Sequence, residues 1–410
     1  MDIKNSFTMV KEKVVKTTKN TGEKVANFHN TSKQKIKDSV QKGKEYYDEC
    51  FAHRERNEND EIVIPNPIID KKEERLVESL NKRYEKLLKQ GFINKTTKAI
   101  GDKIPPKLKD GVKDVTSKIT EQELYEQCMK VVSEGFGKLQ EIAAKHTISE
   151  DAIINKINSL NNENNIYSLD EICLTRAYDI VKSLENVKST SYASALIEGG
   201  TTGYAGFWGI PFSIVLSTFL FFRTVEEIAM HYGYDVKNDP AELQIVAEVF
   251  MKAFNPSETV DVSESGTLIM KIMAISEISA VKDCAKSWSK MAASGSLCLW
   301  ITQVRALANK QAQKALAEAG KDGLENSVFR SVFNQLGKSF TQANVKKAVP
   351  VFGAIVGAAF DTYQMSKIIE YADVFYCKRF LCEKAANIDL LFNEKDVVII
   401  QEIENDNDKL

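Results

Sequence analysis

The stretch Gly199–Phe222, GGTTGYAGFWGIPFSIVLSTFLFF, holds no charged side chain and is bracketed by Glu198 and Arg223. It is long enough for a transmembrane helix. Its composition points elsewhere. Gly200, Gly203, Gly206 and Gly209 recur at every third position and Pro211 follows, so the first half makes a weak helix or a turn. Pro211–Phe222 supplies only about three turns, too few to span a bilayer. The favoured reading is a glycine-rich lead into a buried core helix. A re-entrant or membrane-inserted hairpin and a single span are the alternatives.

Downstream, Glu227 and His231 stand four apart on one helix face and Asp235 follows past its end. A carboxylate can hold a histidine for acid–base work, which makes Glu227, His231 and Asp235 the catalytic candidates. The structural reading is stronger. His231 near a helix C-terminus favours the dipole, and Gly233 is a stop signal. Tyr232, Tyr234 and Asp235 are then expected to clamp the turn into a helix capped by Asp239 and opened by Pro240. Arg223 is positioned to pair with Glu226 or Glu227.

Other apolar segments are of core length. Met291–Val304 and Ala348–Phe360 are too short to span. The second carries Gly353 and Gly357 four apart, a spacing that lets helices approach closely. A glycine-rich helix from 199 packing on one from 348 is the simplest picture. Strand-like alternation is weak and prolines are few, so the fold class is all-α. In the stretch 71–90, Leu76, Leu80, Tyr84, Leu87 and Leu88 keep helical spacing.

The N-terminus repeats itself every 11 residues: KEKV from Lys11, GEKV from Gly22, KQKI from Lys33, KEYY from Lys44. Eleven residues in three turns is about 3.67 per turn, so one straight stripe persists along a helix. Ile3, Val14, Val25, Ile36 and Tyr47 form it, joined by Val40. Lysines such as Lys13, Lys24 and Lys35 flank it, and Glu12, Glu23 and Glu45 lie opposite. This is the layout of a helix adsorbed in a membrane interface, with valines inserted and lysines reaching phosphates. A solvated or partner-binding helix and a right-handed coiled coil are the alternatives. A second lysine-rich stretch repeats the scheme at Ile93, Ile104 and Val115, interrupted by Pro105-Pro106. The 11-mers resemble those of perilipins and synucleins, which coat lipid droplets and vesicles.

These shifts in composition divide the 410 residues. Residues 1–56 form the basic arm and 57–70 a proline-bearing linker. Residues 71–121 hold the charged helix and second lysine-rich stretch, 122–393 the helical domain, and 394–410 an acidic, disordered tail. The stretch 158–168 reads as a surface loop within the domain. Met1–Tyr47 carries 11 lysines against five acids, while the tail from Glu394 carries six acids against two lysines. With net charge near -2 overall, no specific nucleic-acid binding is expected. Seven scattered cysteines, without C-x-x-C, read as reduced thiols of a cytoplasmic protein, and the absence of an apolar h-region predicts no secretory signal. No Walker loop, G-x-S-x-G or H-E-x-x-H occurs, and neither metal nor cofactor is expected.

The motifs Glu227-Ile228-Ala229, Tyr232-Gly233-Tyr234-Asp235 and Asp239-Pro240-Ala241-Glu242, after Gly199, Gly200, Gly203 and Gly206, resemble the core of the EcsC family. The later KKAVPVFGAIVGAAFDTYQMSKIIEYADVFYCKRF, with Gly353 and Gly357, is similar to that family's closing glycine-rich helix pair. The resemblance spans roughly 125–392. It implies a helical fold and a link to membranes, and supplies no catalytic residue. Family members often carry a charge early in the central apolar helix; here there is none. The expectation is a cytoplasmic, peripheral membrane or lipid-droplet protein that binds lipid or a protein partner without catalysis. An enzyme acting on a lipid-phase substrate, and a protein inserting residues 199–222, are the alternatives.

Overall fold

The computed structural model describes residues 62–90, 121–144, 149–161, 163–188, 209–254, 263–275, 277–286, 297–343 and 362–407. All belong to the unit Glu58–Leu410. The expectations for the arm, for the second lysine-rich stretch, and for Gly199, Gly200, Gly203, Gly206, Gly353 and Gly357 fall outside the described residues. So does the expected packing of the two glycine-rich helices.

The described elements are helices and turns, with no strand among them. In chain order they are α1 Lys71–Gln90, α2 Glu121–Glu134, α3 Phe136–Ala143, α4 Glu150–Asn158, a 3-10 turn Leu169–Leu174, α5 Ala177–Ser183 and α6 Glu185–Lys188. There follow α7 Gly209–His231, α8 Pro240–Phe254, α9 Glu264–Ala274, α10 Ile278–Lys286, α11 Leu297–Ala343 and α12 Thr362–Asn407. α11 is broken at Gly320, whose φ of 71° leaves the helical region. α12 continues to Asn407, into the stretch that the sequence sets apart as an acidic tail.

α1 is the amphipathic helix its pattern predicts. Val77, Leu80, Tyr84 and Leu87 are buried at helical spacing, while Leu88 is exposed. Its start is a capping box. Asp70 Oδ1 accepts from the amides of Lys72 and Glu73, and Glu73 Oε2 accepts from the Asp70 amide. The stretch read as a linker is tied down from residue 62 onward. Asn164 brackets Val63, taking its amide at 2.8 Å and giving to its carbonyl at 2.9 Å. Arg176 Nη1 donates to the Pro67 carbonyl at 2.9 Å. Part of the expected surface loop is therefore buried, including Asn161, Asn164 and Ile166.

The apolar run is a core helix from Gly209 onward. Along α7, Phe219, Leu220, Phe221, Phe222, Val225, Ile228 and Ala229 are all but inaccessible. Phe219 and Phe222 pack on Phe329 of α11, Phe219 on Phe136 of α3, and Phe222 on Phe250 of α8. No helix among the described residues is long and apolar enough to cross a membrane.

The centre of the fold is α12. α1, α5, the 3-10 turn and α7 to α11 all pack against it. Ile368 to Ala385 is therefore buried nearly all round, with charges included: Asp373, Lys378, Arg379, Glu383 and Lys384. A charge so placed needs a partner. Partners come from other elements, and their arrangement makes the candidate site.

The cysteines depart from expectation. Cys284 of α10 and Cys298 of α11 are joined as a disulfide, so the reading of seven reduced thiols is corrected for this pair. Helix packing brings their Cα atoms to 5.9 Å, within disulfide range, which a spacing of 14 residues does not announce. Cys128, Cys173, Cys377 and Cys382 are free and buried.

Candidate functional site

The turn between α7 and α8 positions the site. α7 ends in a Schellman motif: the Tyr234 amide donates to the Ala229 carbonyl at 3.1 Å and the Gly233 amide to that of Met230 at 3.0 Å. Gly233 has φ of 87°, and a Cβ there would sit 2.9 Å from the Leu169 carbonyl oxygen. Only glycine meets both conditions. Asp235 then closes the turn, its Oδ1 accepting from the amides of Lys237 and Asn238 at 3.0 Å each. Asp239 caps α8 through the Ala241 amide at 2.9 Å, with Pro240 opening the helix as its spacing predicts.

The two tyrosines flanking Gly233 reach across to α12. Tyr232 donates to Asp373 Oδ1 and Tyr234 to Glu383 Oε2, each at 2.7 Å. The sequence leads one to expect these side chains to clamp the turn into the next helix, whereas their hydroxyls bond α12. Ten residues separate the two carboxylates, just under three helical turns. Asp373 also receives Arg83 of α1, which bonds Glu370 at 2.8 Å as well.

Next to Tyr234 lies an arginine–carboxylate network. Arg379 grips Glu242 of α8 through two parallel bonds, Nη1 to Oε2 at 2.6 Å and Nη2 to Oε1 at 2.8 Å. Its Nε donates to Glu383 Oε2 at 2.9 Å, and its guanidinium lies 3.9 Å from the centre of the Tyr234 ring. Burial opposes the charge on Arg379, yet Glu242 and Glu383 hold the guanidinium well above its ordinary range. Arg305 of α11 bonds Glu242 too, and its Nη2 meets Asp239 Oδ2 at 2.6 Å.

These groups wall a cavity of about 570 Å³. The 3-10 turn gives Leu169, Asp170 and Cys173, α11 gives Thr302 and Arg305, and α12 gives Arg379, Glu383, Asn387, Leu390 and Leu391. Tyr232, Gly233, Tyr234 and Asp235 line it as well. Four residues picked from the sequence therefore meet at one cavity. Arg305, Arg379, Glu383 and Asn387 escaped sequence reading. Only the Asp-Pro-x-Glu start of α8 pointed toward Glu242.

The catalytic candidates are not brought together. His231 is 1% exposed, and its Nδ1 lies 2.9 Å from the main-chain carbonyl of Glu227. Burial lowers its pKa to about 4, which keeps the ring neutral. Asp235 uses its carboxylate on its own turn and makes no hydrogen bond with His231. Cys173 at the cavity wall is no ready nucleophile, since burial pushes its thiol up to about 12. Among the described residues no group of three or more His, Cys, Asp or Glu can hold a metal ion.

The model of the EcsC protein family matches residues 70–381. No curated protein and no solved structure matches the chain. The match begins at the N-cap of α1 and ends within the buried part of α12.

Proposed function

Because the chain belongs to the EcsC protein family, we propose that it is a peripheral membrane or lipid-droplet protein, its helical domain a binding module without chemistry of its own. The observation that carries this reading is the period of residues 1–56. Val14, Val25 and Ile36 recur every 11 residues with Lys13, Lys24 and Lys35 beside them. Such a stripe has too little apolar area to fold a helix in water and enough to adsorb at an interface, where each lysine near anionic lipid adds about 1 kcal/mol. A surface mode also suits the described helices, of which none is long and apolar enough to cross a membrane.

The test is flotation of the whole chain with anionic liposomes, neutral liposomes and oil droplets, beside the variant Val14→Asp/Val25→Asp/Ile36→Asp. The wild type floats, best with anionic lipid and less at high salt, and the triple variant sinks. Equal flotation of the two proteins refutes the role of the stripe. Wild type that withstands alkaline carbonate washing refutes the peripheral mode.

A further inference from the structure

We propose that Arg223, Glu226 and Glu325 form a proton-operated latch, which holds the start of the second half of α11 against α7 and lets it open about Gly320. The cluster joins three elements. Arg223 Nη1 lies 3.3 Å from Glu226 Oε2, one turn along α7, and Arg223 Nη2 lies 2.7 Å from Glu325 Oε1 of α11. Gln140 of α3 donates to the other oxygen of Glu325 at 2.8 Å. One guanidinium thus faces two carboxylates, and with both ionised an uncompensated negative charge remains in the interior.

Glu226 is where that excess falls. Its side chain is 7% exposed, and its Oε1 is buried with no hydrogen-bond partner among the described residues. A bare ionised oxygen is costlier there than a neutral carboxyl. Around it stand Arg223 on its own helix, Glu325 of α11, Lys237 of the following turn and Tyr376 of α12, whose hydroxyl burial holds well above its ordinary range. Burial and Glu325 favour the proton and outweigh the two cations, so Glu226 keeps it up to about pH 8.

The hinge lies five residues before Glu325. Gly320 leaves the helical region at φ of 71°, and a Cβ there would meet nothing within 4 Å, so no packed neighbour fixes its backbone. Lys321 and Asp322 are exposed, and beyond Leu324 the chain sinks into the core again at Val328 and Phe329. Residues 321–327 are therefore anchored by Leu324 and by the latch. Ser327, two residues past Glu325, lines a cavity of about 290 Å³ between α8 and the two halves of α11, so the latch governs one of its walls.

Opening returns Glu226 to water, where its ordinary value is 4.5. Closure is therefore favoured in full below pH 4.5, weakens as pH rises, and reaches its limit near pH 8. Between those values each pH unit multiplies the opened fraction by up to about tenfold.

The experiment is hydrogen exchange of the whole chain, read by mass spectrometry from about pH 5.5 to about pH 7.5 as protection factors, which remove the intrinsic effect of pH on exchange. Amides 321–327 should be less protected than the core amides of α7 at every pH, and should lose about tenfold or more of their protection over that range. Glu226→Gln, neutral at every pH, should keep 321–327 protected with no pH dependence. Glu325→Gln leaves Arg223 to Glu226 alone and should shrink the dependence seen in wild type. Protection of 321–327 equal to that of the α7 core would mean that this turn opens only with the whole fold, and overturns the latch. So does protection that is independent of pH in wild type, or an undiminished pH dependence in Glu226→Gln.

Discussion

Glu73 and Lys384 stand 311 residues apart in the chain and meet at 2.8 Å, neither side chain exposing any surface. Glu73 is also the capping-box carboxylate of α1, and its two oxygens accept from the Asp70 amide, the Ala177 amide, Arg176 and Lys384. One side chain therefore starts the first helix of the domain, fixes the start of α5 and neutralises a charge inside α12.

The two partners are not equivalent. Lys384→Met leaves Glu73 with Arg176 as its cation, whereas Glu73→Gln leaves two buried cations facing an amide. Breaking a buried pair from one side costs about 3–5 kcal/mol. Glu73→Gln should lie at the upper end and Lys384→Met at the lower. The double variant should lose less than the sum of the two. Urea denaturation of the four proteins gives the cycle, and strict additivity would mean that the contact carries no coupling.

At Gly233 two constraints coincide, positive φ and the Leu169 carbonyl oxygen at 2.9 Å from any Cβ. Gly233→Ala should cost about 1–3 kcal/mol, more than the conformational term alone. It should also displace the 3-10 turn that forms one wall of the cavity. Chemical denaturation reads the first effect and amide hydrogen exchange across residues 169–174 the second. An alanine variant as stable as wild type would show that the Leu169 turn yields freely.

The sequence made local chemistry legible and left distant partners hidden. The end of α7 at His231, the stop at Gly233, the cap at Asp239 and the face of α1 all follow from neighbours within a few residues. The charges of α12 do not. Read alone, CKRFLCEK resembles one side of a surface helix, yet Lys378, Arg379, Glu383 and Lys384 are buried. Lys378 donates to the carbonyls of Met273 and Ile275, and the other three find Glu242, Tyr234 and Glu73 more than a hundred residues away. No periodicity announces such a pairing. The stretch 62–70 was misleading for the same reason, since its prolines signal a break in the chain while its anchors, Asn164 and Arg176, lie far downstream.

Glu226 gives a pH effect of one sign. Burial raises its carboxyl to about 8, Glu325 adds to the shift, and Arg223, 3.3 Å away, opposes it. A carboxyl raised in the fold contributes stability that is complete below its unfolded value near 4.5 and is lost as pH rises toward 8. Glu226→Gln, a neutral replacement of the same shape, should remove that decline. The stability difference between variant and wild type should grow from pH 5 to about pH 8 and then level off. A difference independent of pH would place the Glu226 pKa at an ordinary value.

His231 gives the opposite sign. Burial lowers its pKa to about 4 from an ordinary 6.5, and the contact with the Glu227 carbonyl only partly offsets this. The unfolded chain therefore takes up a proton below pH 6.5 that the folded protein refuses until about pH 4. The stability held above pH 6.5 should fall by about 3 kcal/mol as pH drops through that window. His231→Asn keeps a donor for the Glu227 carbonyl and has nothing to protonate. It should lose absolute stability through the smaller side chain, yet lack the decline between pH 6.5 and 4. Melting temperatures of the two proteins at half-unit pH steps decide the matter. Parallel curves would mean that His231 accepts its proton inside the fold, which returns it to the list of groups able to do acid–base work.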